Sequence, residues 1–197
     1  LFNPDTIQRM AEHFQILLQG IVSDPSQKIS QLPILSEQEK HKLLVEWNDT
    51  ETDYPKDKCV HELFEEQVLK TPDGVAVIFE DKQLTYAELN EKANQLAHYL
   101  QKFGVKPEIL VGICIERSLE MIIGLLGILK AGGAYVPLDP DYPKDRLAFM
   151  LDDTQAPILL TQAKLKDFLP ENKAKLICLD TNWETISKEN IKDIKSN

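Results

Sequence analysis

Leu129-Lys130-Ala131-Gly132-Gly133-Ala134-Tyr135-Val136-Pro137-Leu138-Asp139 is the stretch on which the reading of this chain turns. It describes the end of a helix, two glycines where a Cβ at positive φ would be penalised, a short apolar strand and a proline-bounded turn. Just upstream, residues 119–130 are apolar nearly all round, with Ser118 placed to cap them, which predicts a helix enclosed by other elements. On that reading Leu126→Ala costs about 2–5 kcal/mol through lost burial and a cavity. Before the helix, residues 109–115 form the continuous apolar run expected of a strand covered on both faces.

The same alternation extends outward. Residues 75–79 and 83–85 read as two strands joined by a tight turn. Thr85-Tyr86-Ala87-Glu88 has capping-box spacing, and the following helix places Leu89, Ala93, Leu96, Ala97 and Leu100 on one face, with Gly104 suited to its end. On the other side come a helix at 143–152, a strand at 157–161, a short helix at 162–168 and a strand at 175–179. Strand–helix–strand repetition predicts an α/β fold, a mostly parallel sheet covered by helices.

The first fifty residues have a different texture. Residues 3–22 carry apolar positions at three-and-four spacing, with Asn3 as N-cap and Pro4 at the first helical position. Ser36 and Glu39 form another capping box before a helix that includes Leu43, Leu44 and Trp47. A charged, proline-bearing stretch follows, so the domain boundary is read near Thr52: a helical linker over 1–52 and the main domain over 53–197. From about residue 182 the tail is polar and lysine-rich; it reads as exposed and mobile beyond anchors at Trp183 and Ile186.

With 43% hydrophobic and 27% charged residues the chain has ordinary globular composition. A net charge of -10 opposes polyanionic partners, both nucleic acid and anionic membrane. No signal peptide or membrane span is read, and Cys59, Cys114 and Cys178 lack metal or disulfide spacing, which suits a reducing cytoplasmic setting. The absence of an initiator Met reads as a trimmed or cut-out piece.

Single residues offer little chemistry. Gly132 and Gly133 do not sit in a loop with P-loop or dinucleotide spacing, so a structural role at a helix end is favoured over phosphate binding. Asp139 and Arg146 invite an ion pair across the turn 139–143. His61-Glu62 begins like a zincin motif, but position 65 is Glu, so no metal site is supported. His13, His41 and His98 have no partner spacing. The adjacent carboxylates Glu65-Glu66 and Asp152-Asp153 read as solvated faces, since neighbours on a helix do not face one another.

Taken together, residues 84–89 (LTYAEL) and 129–139 (LKAGGAYVPLD) resemble the first two core motifs of the adenylation domains of nonribosomal peptide synthetases. Asn94-Gln95-Leu96-Ala97, Gly112-Ile113-Cys114, Glu116-Arg117-Ser118 and residues 139–147 are similar to that family too. His13-Phe14, Leu32-Pro33 and Trp47-Asn48-Asp49-Thr50 resemble the linker joining a condensation domain to an adenylation domain. The motif residues are thus Thr85, Tyr86, Glu88, Leu89, Gly132, Gly133, Pro137, Asp139 and Arg146.

The resemblance implies an enzyme that activates an amino acid with ATP and Mg²⁺ as an acyl-adenylate and passes it to a carrier-protein phosphopantetheine thiol. It also implies that the residues holding ATP and substrate lie beyond Asn197. No catalytic, cofactor-binding or metal residue is therefore assigned, and the chain alone is expected to be inactive. Its expected partners are the remainder of the same adenylation domain as a second chain, an upstream condensation domain, a downstream carrier domain and the small amino-acid substrate. Without that remainder, an unpaired sheet edge and uncovered apolar helix faces are expected. Two other readings stay open: an aryl or fatty acyl ligase of the same superfamily, and a non-enzymatic α/β interaction module.

Overall fold

Hydroxyl side chains set where three of the helices begin. Ser36 Oγ accepts from the Glu39 N–H (3.1 Å) and starts α2 (Glu37–Leu44). Thr85 Oγ1 accepts from the Glu88 N–H (3.2 Å) while the Glu88 carboxylate takes the Thr85 N–H (2.8 Å), which starts α4 (Tyr86–Lys102). Ser118 Oγ accepts from the Met121 N–H (3.3 Å) and starts α5 (Leu119–Lys130). Each bond satisfies a donor that a helix start would otherwise leave open. The first helix, α1 (Pro4–Ser23), has Pro4 at its start as expected, but the Asn3 side chain makes no capping bond.

The computed structural model describes residues 1–194 and divides into two compact units, Leu1–Lys56 and Asp57–Asn197. In the first unit, α1 and α2 are tied by a His13 Nε2–Glu39 Oε1 contact of 2.9 Å. Gly20 lets Pro33 approach: an added Cβ would lie 2.9 Å from Pro33 Cδ. The helix containing Leu43 and Leu44 ends at Leu44, and Trp47 sits in a separate 3-10 turn, Glu46–Asn48. No residue of this unit is buried, and the apolar stripe of α1 at Ile7, Met10, Phe14, Leu18 and Ile21 is exposed.

The second unit opens with α3 (Val60–Lys70) and an antiparallel hairpin of β1 (Val75–Phe79) and β2 (Lys82–Thr85). After α4 come β3 (Leu110–Ile113), α5, β4 (Ala134–Pro137), α6 (Lys144–Thr154), β5 (Ile158–Thr161), β6 (Lys175–Cys178) and the single turn α7 (Trp183–Ile186). Where a helix was expected over 162–168 there is a 3-10 turn, Ala163–Leu165. The four later strands form one parallel sheet in the order β4-β3-β5-β6. Side-chain alternation divides the core in two. Ile158 and Leu160 face a cluster with Leu96, Leu100 and Ile128 of α4 and α5, whereas Leu159 faces one with Leu147 and Leu151 of α6. Helices therefore cover both faces of the sheet, as the apolar strands predicted.

The two interior glycines of α5 give it its close packing. A Cβ on Gly124 would lie 2.8 Å from Ile113 Cδ1 in the sheet, and one on Gly127 would lie 2.7 Å from Leu96 Cδ2 on α4. Both α4 and α5 end in the same way. Gly104 (φ +86°) and Gly132 (φ +90°) sit one position past the cap, and Val105 and Gly133 donate back to the carbonyls of Leu100 and Ile128. Positive φ is thus confined to Gly132 of the pair; Gly133 is small for a steric reason, since its Cβ would meet Val105 Cγ1 at 2.7 Å.

One expectation about enclosure is corrected. Helix α5 is not buried all round: Ile128 is fully buried, while Ile122, Leu125, Leu126 and Leu129 are half-buried, on a face that residues of α3, β1 and α4 only partly cover. Ile128→Ala is therefore expected to cost about 2–5 kcal/mol and Leu126→Ala only about 1–2 kcal/mol, as read by urea unfolding. Over its described part the segment after residue 182 runs along α4. Ile186 is fully buried, Lys92 Nζ lies 4.8 Å from the Trp183 ring centroid, and residues 187–193 are hydrogen-bonded to α4. Residues 195–197 lie outside the described residues.

Candidate functional site

Ligands of open parallel sheets bind beyond the carboxyl ends of the strands, where loops converge on one edge. Here that edge carries a cleft of about 870 Å³ formed by the residues after β3 and β4, with walls from Ile115, Arg117, Pro137, Asp139, Tyr142 and Arg146. Three of the motif residues named from sequence, Pro137, Asp139 and Arg146, meet in it. The expected ion pair between the last two does not form. Asp139 Oδ1 instead accepts from the Asp141 N–H (3.0 Å), which fixes the turn, and the Arg146 guanidinium lies 4.0 Å above the Tyr142 ring. A planar cation over an aromatic face is held by the ring quadrupole and leaves the carboxylate free to organise backbone. The adjacent crevice between β3 and β5 is spanned by a Glu116–Lys164 ion pair and by Gln162 Oε1 accepting from the Glu116 N–H (3.1 Å).

The other motif residues serve the helices. Thr85 and Glu88 cap α4, and Tyr86 meets Phe64 with ring centroids 5.9 Å apart. Tyr86 and Leu89 also line an apolar hollow of about 390 Å³ with Ile122, Leu125 and Leu126 on the half-buried face of α5. The Gly132 and Gly133 N–H groups are already used, donating to Leu129 O and Ile128 O, both at 3.0 Å. They are not free to cradle a phosphate. Among the described residues no group of three or more His, Cys, Asp or Glu is arranged to hold a metal. No catalytic step is assigned to these residues. Cys114, buried behind the cleft, is not a nucleophile at neutral pH: burial, with a smaller contribution from Asp139, pushes its thiol up to about 11.

Sequence reasoning missed the most heavily charged buried group. The Lys130 side chain is 1% exposed and is paired with Glu65 of α3 and with Asp193 Oδ1 (3.0 Å). Asn90 and Asn94 on α4 donate to the same Asp193 oxygen at 3.0 and 2.9 Å. Burial works to raise the Asp193 carboxyl, but the donors from Asn94, Asn90 and Lys130 outweigh it and hold the group below its ordinary range. Glu65 and Glu66 are thus not a solvated pair, since Glu66 is bonded to Lys58 as well. One signal was available: a lone cation near the end of an otherwise apolar helix requires a buried counter-ion. Among the described residues no helix is long and apolar enough to cross a membrane.

An open parallel sheet with helices on both faces and a cleft at its carboxyl edge defines the class of the fold. The family model for AMP-binding enzymes matches residues 64–196, and the chain belongs to that family. It is 56% identical over 189 residues, 96% of its length, to a linear gramicidin synthase of Brevibacillus parabrevis. It is 48% identical over 194 residues, 98% of its length, to bacitracin synthase 2 of Bacillus licheniformis. The chain spans 4% and 7% of these relatives. Among solved structures, the nonribosomal peptide synthetase FmoA3 in its α-methyl-L-serine-AMP-bound form superposes on the whole chain with a TM-score of 0.71 at 31% identity, the chain covering 22% of it. The N-terminal subdomain of Klebsiella oxytoca NpsA matches 71% of the chain with a TM-score of 0.61 at 27% identity; the chain covers 35% of it. The resemblance to nonribosomal peptide synthetase adenylation domains is borne out.

Proposed function

We propose that this chain is the structural first part of an adenylation domain that activates an amino acid for nonribosomal peptide synthesis. The observation that carries this reading is the 56% identity to a linear gramicidin synthase over 96% of the chain, which takes in the N-terminal helical unit as well as the sheet. In the reaction proposed for the complete domain, a substrate carboxylate oxygen attacks the α-phosphorus of ATP. The bond to the β-phosphate bridging oxygen breaks and pyrophosphate leaves. The acyl group of the adenylate then passes to a phosphopantetheine thiol of a carrier domain, releasing AMP. The phosphate-binding loop and the groups that would hold Mg²⁺ and the amino acid are assigned to sequence outside these residues. FmoA3 has been solved with AMPPNP bound, and its TM-score of 0.69 with this chain supports a nucleotide in the assembled domain.

Within that domain these residues form scaffold. The capped helices α4 and α5 back one face of the sheet, and the turn held by Asp139 and the Arg146–Tyr142 stack shapes its carboxyl edge. Residues 1–52 serve as the linker from a condensation domain, and residues 53–197 as the front of the large subdomain. The half-buried face of α5 is where the rest of the domain is proposed to pack. A pyrophosphate-exchange screen of the complete enzyme tests the proposal: exchange is expected with one or a few amino acids and not with aryl or fatty acids. Exchange with aryl or fatty acids alone would reassign it to another acyl-adenylating ligase, and no exchange with any carboxylic acid would favour an interaction module.

A further inference from the structure

We infer that residues 187–194 form a strap clamped along the polar ridge of α4, with Asp193 as its clasp and Ile194 as a plug over an apolar hollow. The ridge is built for a chain lying across it. Gln95 Nε2 donates to Ser187 O (2.7 Å), Asn94 Nδ2 to Ile191 O (2.7 Å) and to Asp193, and His98 Nε2 bonds Lys192 O (2.9 Å). Lys102 pairs with Glu189 at 2.6 Å. Residues 90, 94, 98 and 102 recur every four positions and so lie on one stripe of the helix. Asn94 and His98 bond strap carbonyls, while Asn90, Asn94 and Lys102 bond the Asp193 and Glu189 carboxylates, so both backbone and acidic side chains of the strap are held.

The clasp concentrates the energy. One oxygen of Asp193 accepts from Asn90, Asn94 and Lys130 together. Asn94 is fully buried and Asn90 nearly so, and the carbonyl oxygens of both amides have no partner. The side-chain bonds of both buried amides run to the strap. Beyond the clasp, Ile194 packs on the core and closes one side of a hollow of about 770 Å³ lined by Val60, Leu129 and Tyr135. Undocking the strap uncovers this hollow while the sheet stays folded, a local opening of the kind that sits well below global unfolding.

Lysine-specific proteolysis of the 197-residue chain tests this, because cleavage after Lys188 requires the strap to leave the helix. Cleavage after Lys82, in the exposed hairpin, serves as the reference. Asp193→Ala should speed cleavage after Lys188 by ~10-fold or more, as expected when charge-assisted hydrogen bonds are lost, with cleavage after Lys82 within about twofold of the wild type. His98→Ala, which removes one exposed bond and leaves the core intact, should speed it by about threefold. The inference is overturned if cleavage after Lys188 stays within about twofold of wild type in both variants. It is equally overturned if cleavage after Lys82 rises in step with it in both, because the segment would then be part of the global fold and not a separable strap.

Discussion

Replacing Gly127 by valine is expected to remove about 3 kcal/mol of folding free energy, the upper end of the cost of overpacking a core. The first atom added already collides. A Cβ at this position lies 2.7, 2.8 and 3.0 Å from the Leu96 Cδ2, Cγ and Cβ atoms, and the last two are too near the α4 backbone to swing away. Leu96 is itself fully buried, so there is no solvent side to yield toward. The helix-propensity gain of valine over glycine, a few tenths of a kcal/mol, does not offset this. The collision also predicts a partner effect. Combining Gly127→Ala with Leu96→Ala should cost less than the sum of the single changes, because each relieves the other. Urea unfolding of the four proteins measures it. Additivity, or a loss below about 1 kcal/mol for Gly127→Val, would mean that α4 and α5 do not meet at this glycine.

Glu65→Leu is expected to cost a comparable amount, about 3 kcal/mol, through a different mechanism. The Lys130 ammonium is almost wholly withdrawn from water, and Glu65 is its better-buried counter-ion, 21% exposed against 49% for Asp193. Removing Glu65 leaves a buried cation with one half-exposed partner. The companion change Lys130→Met should recover part of the loss when combined with Glu65→Leu, since the buried charge is then gone from both sides. A double variant no more stable than Glu65→Leu alone would contradict this pairing.

The sequence spoke most clearly where physics is local. Thr85 with Glu88 and Ser36 with Glu39 satisfy helix N–H groups three residues away, and Gly132 ends α5 by a conformation only its own φ requires. The apolar runs of β3 and β5 declared a sheet covered on both faces for the same reason. What stayed hidden depends on distant partners. Nothing near Lys130 in the chain names Glu65 or Asp193, which lie 65 and 63 positions away. Spacing pointed Arg146 to Asp139; it does not tell a carboxylate partner from a ring, and in the structure Arg146 lies over Tyr142 while the Asp139 oxygen accepts from the Asp141 N–H. Enclosure of Leu126 was overread because an all-apolar helix tells how much of it is to be covered, not whether the covering residues belong to the same stretch of chain. The bonds of the polar segment after residue 182 stayed hidden because their partners, Asn90, Asn94 and His98, lie about a hundred positions away on α4.

The scaffold reading is tested most directly by amino-acid-dependent exchange of labelled pyrophosphate into ATP, measured on the 197-residue chain alone and on the complete adenylation domain. The expected result is no exchange above the protein-free background for the chain alone, and exchange dependent on an amino acid for the complete domain. Amino-acid-dependent exchange by the isolated chain would contradict it, since the Gly132 and Gly133 N–H groups are committed to helix carbonyls.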